Sequence, residues 1–150
     1  MPNSYTCLNY HIIFSTKDRY PFIEARYAER FHAYFGGVIR DLRGALLAAG
    51  GMPDHLHLLA SLHPATSISD TLRQLKSGSS SWIHDTWPEL RKFAWQDGYA
   101  AFSVSASALD DVRAYIAGQA EHHRTRTFQD ELRAFLDRHG VAFDERYVWG

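Results

Sequence analysis

The order of strand-like and helix-like segments constrains the fold of this chain more than any other feature of its sequence. Four runs rich in β-branched, aromatic or alternating apolar residues predict strands, the last of them preceded by a loop, at residues 8–15, 45–49, 55–62 and 93–105. Four amphipathic or capped segments predict helices at residues 24–43, 67–85, 107–123 and 127–139. This order predicts an α+β, ferredoxin-like (RRM-like) antiparallel sheet with helices on one face, plus C-terminal helices.

Size and composition predict one cytoplasmic domain. A chain of 150 residues, 45% of them hydrophobic, can build a single core over residues 1–150. The one cysteine, Cys7, cannot form an internal disulfide, which fits a reducing compartment. The N-terminus lacks a signal-peptide pattern and no apolar run reaches the roughly 18 residues of a membrane helix, so no membrane contact is expected. The net charge of −1 does not by itself indicate a nucleic-acid partner.

His55 and His57 alternate with leucines on the predicted strand 55–62. Side chains alternate between the two faces of a strand, so both imidazoles project from one face while Leu56 and Leu58 project from the other. Two imidazoles at this spacing can clamp a metal ion. An isolated His-x-His pair is equally often incidental, so a third ligand is needed to favour a metal site.

Tyr115 and Gln119 lie four residues apart on the predicted helix 107–123, beside its apolar stripe. A metal ion near the Gln119 amide oxygen would also lie near the Tyr115 phenol. A tyrosine beside an apolar stripe is usually a packing residue, and spacing alone does not make it a nucleophile. Three other histidines are expected to face solvent or to serve structure: His63, His122 and His123.

The set of motifs resembles a known family. His55-Leu56-His57 is followed by Tyr115-x-x-x-Gln119 on a late helix, and supporting motifs lie at residues 10–17, 51–57, 75–83 and 144–149. Together they are similar to the IS200-like single-tyrosine HUH transposases, small insertion-sequence enzymes that include REP-associated tyrosine transposase relatives. The resemblance covers nearly the whole chain.

The resemblance implies a DNA transposase and single-strand endonuclease. In such an enzyme Tyr115 would attack a scissile phosphate to give a 5′-phosphotyrosine, and Mg²⁺ or Mn²⁺ would be held by His55, His57 and Gln119. The implied partners are single-stranded DNA with hairpin ends and a second copy of the chain in a homodimer. Four basic residues are placed near DNA by the resemblance: Lys17, Arg19, Arg73 and Lys76.

Two other functions remain open at this point. A ferredoxin-like module could bind single-stranded nucleic acid on an exposed aromatic sheet face without catalysis. A metal-dependent phosphoesterase could use water as the nucleophile, and only this alternative predicts that Tyr115→Phe keeps cleavage.

Overall fold

The structure, a computed structural model, describes residues 4–146, 148 and 149. Residues 1–3, 147 and 150 lie outside the described part, so the motif at residues 144–149 is described without Tyr147. The strands are β1 (Asn9–Ser15), β2 (Ala45–Met52), β3 (His55–Ser61) and β4 (Ala100–Val104). The helices are α1 (Ala25–Asp41), α2 (Ile68–Thr86), α3 (Leu109–Ala117), α4 (Gln119–His122) and α5 (Phe128–Arg138).

The four strands form one antiparallel sheet in the order β2-β3-β1-β4. This order and the alternation of strands with α1 and α2 confirm the predicted ferredoxin-like α+β fold. The turn at residues 53–54 joins β2 to β3, as the turn-forming residues there predict. The fourth strand is shorter than predicted, because residues 93–99 mostly form a loop. This loop is held at the end of β1 by a bridge between Thr16 and Trp95 and by a hydrogen bond from the Gln96 amide to the Ser15 carbonyl oxygen.

Local capping signals in the sequence fix the start of two helices. The Ser67 hydroxyl accepts a hydrogen bond from the Asp70 amide at 3.1 Å and begins α2. The Thr127 hydroxyl does the same for the Asp130 amide at 3.1 Å and begins α5. Each cap satisfies a backbone N–H that has no partner within its helix. Both predicted helix starts are therefore confirmed.

The sheet lies between two helical layers. On one face, large apolar side chains of α1 and α2 pack against one set of alternate residues of β1 and β3. On the other face, α3 and α5 cover the remaining set, with α5 resting on Ile13 and Phe102 and α3 resting on Leu59 and Val104. The C-terminal helices therefore bury the sheet face that would otherwise be open to solvent.

The predicted helix 107–123 is interrupted. The helix α3 ends at Ala117, Gly118 adopts φ −93° and ψ 19°, and α4 begins at Gln119. Glycine has no Cβ and loses more backbone entropy in a helix than any other residue, which makes it a natural point for such a break. The prediction of one continuous helix was wrong, because Gly118 separates α3 from α4.

Within the described residues, no helix is both long enough and apolar enough to cross a membrane.

Candidate functional site

The two strand histidines project into the layer between the sheet and the C-terminal helices. His57 pairs with Ile13 of β1, and His55 pairs with Ser15. Leu56 and Leu58 belong to the opposite core, so the predicted division of faces is confirmed. Both imidazoles have a relative exposure of 0%, which follows from the cover provided by α4 and α5.

Helices α3 and α4 bring Tyr115 and Gln119 to the same place. The Gln119 Oε1 atom lies 3.1 Å from His55 Nε2. The Tyr115 hydroxyl donates a short hydrogen bond to Glu131 Oε2, and Gln119 Nε2 donates to the same oxygen at 3.0 Å. The four residues predicted from the sequence to form the site therefore lie together within one chain: His55, His57, Tyr115 and Gln119.

Glu131 on α5 lies at the centre of this cluster, and the sequence reasoning missed it. Its Oε1 atom lies 3.0 Å from His57 Nε2 and 3.5 Å from His55 Nε2, while Oε2 holds Tyr115 and Gln119. His55, His57 and Glu131 form a buried group whose donor atoms are close enough to bind one metal ion. One carboxylate thus touches both the histidine pair and the tyrosine.

A signal for Glu131 was present in the sequence. The buried face of α5 consists of the residues at positions 128, 131, 132, 135 and 136, which recur at the spacing of an apolar helical stripe. Glu131 is the charged member of that stripe and is only 1% exposed. Buried carboxylates are almost always paired or bound to a metal, so a glutamate at such a position indicates a site.

Outward hydrogen bonds hold the two strand imidazoles in place. His55 Nδ1 donates to Asp54 Oδ1 at 2.8 Å, and His57 Nδ1 shares a hydrogen bond with His11 Nε2 at 2.7 Å. Metal-binding histidines typically have such partners on the nitrogen that faces away from the metal. Each Nε2 atom is thereby directed into the cluster.

Burial and charge set the protonation of these groups. Burial opposes a charge on His55, but the carboxylates of Asp54 and Glu131 outweigh it and raise its pKa to about 9. Burial also opposes the Glu131 anion, yet its bonds to His55 and His57 hold its pKa well below the usual range. Burial lowers the pKa of His57. The directions of both pKa shifts favour an ion pair between His55 and Glu131, whose Nε2 and Oε1 atoms lie 3.5 Å apart.

The Tyr115 phenol is protonated in this environment. Burial and the adjacent Glu131 carboxylate raise its pKa above the ordinary value. Its ring stacks on His122 with the ring centres 4.4 Å apart. The hydroxyl is therefore held in one position but needs positive charge nearby to become a nucleophile.

His123 departs from the expectation that it faces solvent. Its side chain is only 8% exposed, and its Nε2 atom lies 3.3 Å from Glu131 Oε1. His123 is four residues from Gln119, which helical spacing places on the same side, so the spacing offered a signal that the sequence reasoning did not use.

Of the four basic residues nominated for DNA, Arg19 lies nearest to this cluster. It lines an open groove beside the histidines together with Arg124 and Arg126. Lys17 is exposed and lines a separate pocket.

The other two basic residues, Arg73 and Lys76, have partners on or near α2. The Lys76 ammonium donates to the carbonyl oxygens of Gln96 and Gly98 at 2.6 and 2.7 Å, which ties the loop before β4 to the helix. Arg73 is exposed and pairs with Asp70 at 3.2 Å. The structure therefore gives Lys76 a structural contact and leaves Arg73 on the outer surface of α2.

Comparison with known proteins finds a matching family model and similar proteins. Residues 4–119 match the model of a family described as "Transposase IS200 like". The chain is 30% identical over 125 residues to the transposase of insertion sequence IS200 from Salmonella typhimurium, covering 77% of this chain and 78% of that protein. It is 26% identical over 121 residues to the ISDra2 transposase TnpA of Deinococcus radiodurans, covering 75% and 84%.

Two solved structures share the fold. A crystal structure described as a transposase from Deinococcus radiodurans superposes with a TM-score of 0.66 at 25% identity, over 79% of this chain and 95% of that one. A REP-associated tyrosine transposase bound to a REP hairpin superposes with a TM-score of 0.60 at 15% identity, over 82% and 73%. The second likeness concerns the fold alone. Helix α5, with Glu131, lies beyond the segment matched by the family model.

Proposed function

This chain belongs to the IS200-like transposase family, and from that premise we propose that it cleaves and rejoins single-stranded DNA through a 5′-phosphotyrosine formed on Tyr115. One observation carries the assignment of residues: the Tyr115 hydroxyl and the Nε2 atom of His57 meet on the two oxygens of a single buried carboxylate, Glu131. The carboxylate that holds the Tyr115 hydroxyl thus also contacts the histidine pair, which links the tyrosine to the proposed metal site.

The proposed metal site uses His55, His57, Gln119 and Glu131. Two imidazoles, an amide oxygen and a carboxylate form a mixed donor set that suits a divalent ion, with Mg²⁺ or Mn²⁺ as the proposed occupant. A bound cation would neutralise charge on the phosphoryl oxygens and favour the phenolate. The surrounding residues orient these donors and exclude water from the histidine pair.

The proposed reaction balances without an added energy source. The Tyr115 oxygen attacks phosphorus, the bond from phosphorus to the 3′ oxygen breaks, and the 3′ oxygen takes up a proton. The phenolic proton passes to solvent, and the Glu131 carboxylate, which accepts the hydrogen bond of the hydroxyl, holds the Tyr115 oxygen in position. Because the phosphotyrosine keeps the energy of the broken phosphodiester, a 3′-hydroxyl can later attack it and restore a DNA strand.

The proposed substrate is single-stranded DNA that carries hairpins. The fold is shared with a REP-associated transposase that was solved with a hairpin, and the arginine-lined groove beside the site offers phosphate contacts through Arg19, Arg124 and Arg126. Lys17, Arg73 and Lys76 stay predictions for this role. The binding-module alternative is less favourable, because α3 and α5 cover the sheet face on which bases would have to stack.

Residues 1–150 are proposed to form one cytoplasmic domain, and a homodimer stays a prediction. The contacts of α5 with the sheet support a single domain, since they join the last helix to the rest of the core. The proposed nucleophile and the proposed ligands lie in one protomer.

The test compares the protein with Tyr115→Phe in Mn²⁺ and labelled single-stranded DNA that carries hairpins from the flanks of its gene. The expected result is a protein–DNA adduct that resists denaturation and is lost in Tyr115→Phe. Tyr5→Phe is a matched control, because Tyr5 is 95% exposed and far from the site in sequence. Equal cleavage by all three proteins without an adduct would indicate a water-using phosphoesterase, and binding without cleavage would indicate a binding module.

A further inference from the structure

A third imidazole reaches the proposed metal site. His123 follows the last residue of α4, and its Nε2 atom lies 3.2 Å from Gln119 Oε1 and 3.3 Å from Glu131 Oε1. The centre of its ring is 4.7 Å from that of His55. Three buried histidine rings, rather than two, therefore present Nε2 to one carboxylate oxygen.

The Nδ1 atom of His123 is held by a hydrogen bond to a backbone group outside the cluster. His123 Nδ1 lies 2.9 Å from the backbone carbonyl oxygen of Arg126. A carbonyl oxygen can only accept, so Nδ1 carries a proton, and Nε2 is the ring nitrogen that faces Gln119 and Glu131. Asp54 holds His55 in the same way through Nδ1. A hydrogen bond of this kind to a carboxylate or a backbone carbonyl is typical of metal-binding histidines.

The spacing of the donor atoms fits a shared ion. Glu131 Oε1 lies 3.5, 3.0 and 3.3 Å from the Nε2 atoms of His55, His57 and His123. Gln119 Oε1 lies 3.1 Å from His55 Nε2 and 3.2 Å from His123 Nε2. Ligands bound to one ion at about 2.0–2.2 Å are separated from their neighbours by roughly 2.9–3.5 Å in tetrahedral or octahedral geometry. His55, His57 and Glu131 are the residues whose donor atoms all lie close to one another, and His123 lies against two oxygens of the same cluster.

Helical spacing explains how His123 arrives there. Gln119 and His123 are four residues apart, and the His123 amide donates to the Gln119 carbonyl oxygen, so both side chains lie on the same side of this segment. The neighbouring His122 instead stacks on Tyr115.

We propose that His123 is a further ligand of the metal site, so that three imidazoles and the oxygens of Gln119 and Glu131 hold the cation. The inference rests on the proposed function and deepens it. Imidazole nitrogen favours transition ions over Mg²⁺, so the third histidine makes the site selective for Mn²⁺ and later first-row metals. His123 and Glu131 both lie beyond the segment that matches the family model.

The test measures metal binding directly, without DNA. Co²⁺ is titrated into the metal-free protein and followed by its visible absorption, and Mn²⁺ affinity is measured by electron paramagnetic resonance alongside Mg²⁺ competition. We expect His123→Ala to weaken Mn²⁺ binding by about tenfold or more and to change the Co²⁺ spectrum, since even residues that only support a ligand typically contribute 10–100-fold. The preference for Mn²⁺ over Mg²⁺ should fall in the same variant.

Two controls separate ligation from structure. His122→Ala removes the adjacent histidine and should keep the Co²⁺ spectrum and affinity of the original protein. In His123→Gly, added imidazole should restore the original spectrum, which a purely structural role would not allow. If His123→Ala binds Mn²⁺ and Co²⁺ as His122→Ala does, with an unchanged spectrum, the proposal is overturned. Normal metal binding without a Tyr115 adduct would instead contradict the proposed function and leave the role of His123 intact.

Discussion

Gly50 on β2 is where helix α3 comes closest to the sheet. A Cβ atom at this position would lie 2.5 Å from the carbonyl oxygen of Ile116 and 3.0 Å from its Cγ2 atom. Ordinary contact begins near 3.4 Å, so Gly50→Ala would have to displace the α3 backbone by about 0.9 Å. Overpacking of this kind costs about 1–3 kcal/mol of unfolding free energy.

The displacement should also affect the chemistry, because Tyr115 is the residue before Ile116. A nucleophile misplaced by about 1 Å can lose roughly 100-fold in rate. The proposed ligand His57 pairs with Gly50 across the sheet, and the proposed ligand Gln119 follows α3 in the chain, so both should shift as well. We therefore expect Gly50→Ala to form the DNA adduct roughly 100-fold more slowly and to bind metal more weakly.

Gly36→Ala is the matched control, since it makes the same chemical change where there is room. A Cβ atom there would meet only Leu46, at 3.6 Å, inside helix α1. Replacing a glycine within a helix by alanine stabilises by about 0.5–1 kcal/mol. Urea unfolding with a chelator present measures both variants, and adduct formation in a single turnover measures the rate. If the two substitutions change stability in the same direction, or if Gly50→Ala forms adduct at the normal rate, the packing argument fails.

Two further predictions concern the site and its supporting helix. The pKa of His55 is raised from 6.5 to about 9, so its contribution to stability is complete below pH 6.5 and is lost as the pH rises towards 9. With a chelator present, the unfolding free energy of the original protein should fall by up to roughly 3 kcal/mol across this pH range. The fall should be smaller in Asp54→Asn. Equal pH profiles for the two proteins would show that Asp54 does not stabilise the charged His55 imidazole. Thr127→Ala removes the cap that begins α5 and should cost about 1 kcal/mol in urea unfolding, whereas unchanged stability would show that the cap is not needed.

Much of the fold could be predicted because its signals are local. Ser67 and Thr127 cap their helices through their own hydroxyl groups, and the alternation around His55 and His57 assigns each strand residue to a face. Such signals depend on neighbours only a few residues away, so they are visible in the chain before it folds. The end of α3 at Gly118 was missed because a glycine permits a break without requiring one.

The sequence by itself determined the order of elements, the two faces of β3 and the residue types that the proposed chemistry needs at positions 55, 57, 115 and 119. Only the tertiary structure decided which other groups join them. Glu131 lies 74 residues from His57 in the chain. The packing of α5 across the sheet brings Glu131 Oε1 to 3.0 Å from His57 Nε2. His123 joins them because it lies one helical turn after Gln119, which contacts His55 only once α4 packs against the sheet. Helical and strand periods relate residues within one element, whereas the meeting of separate elements depends on how their apolar faces pack.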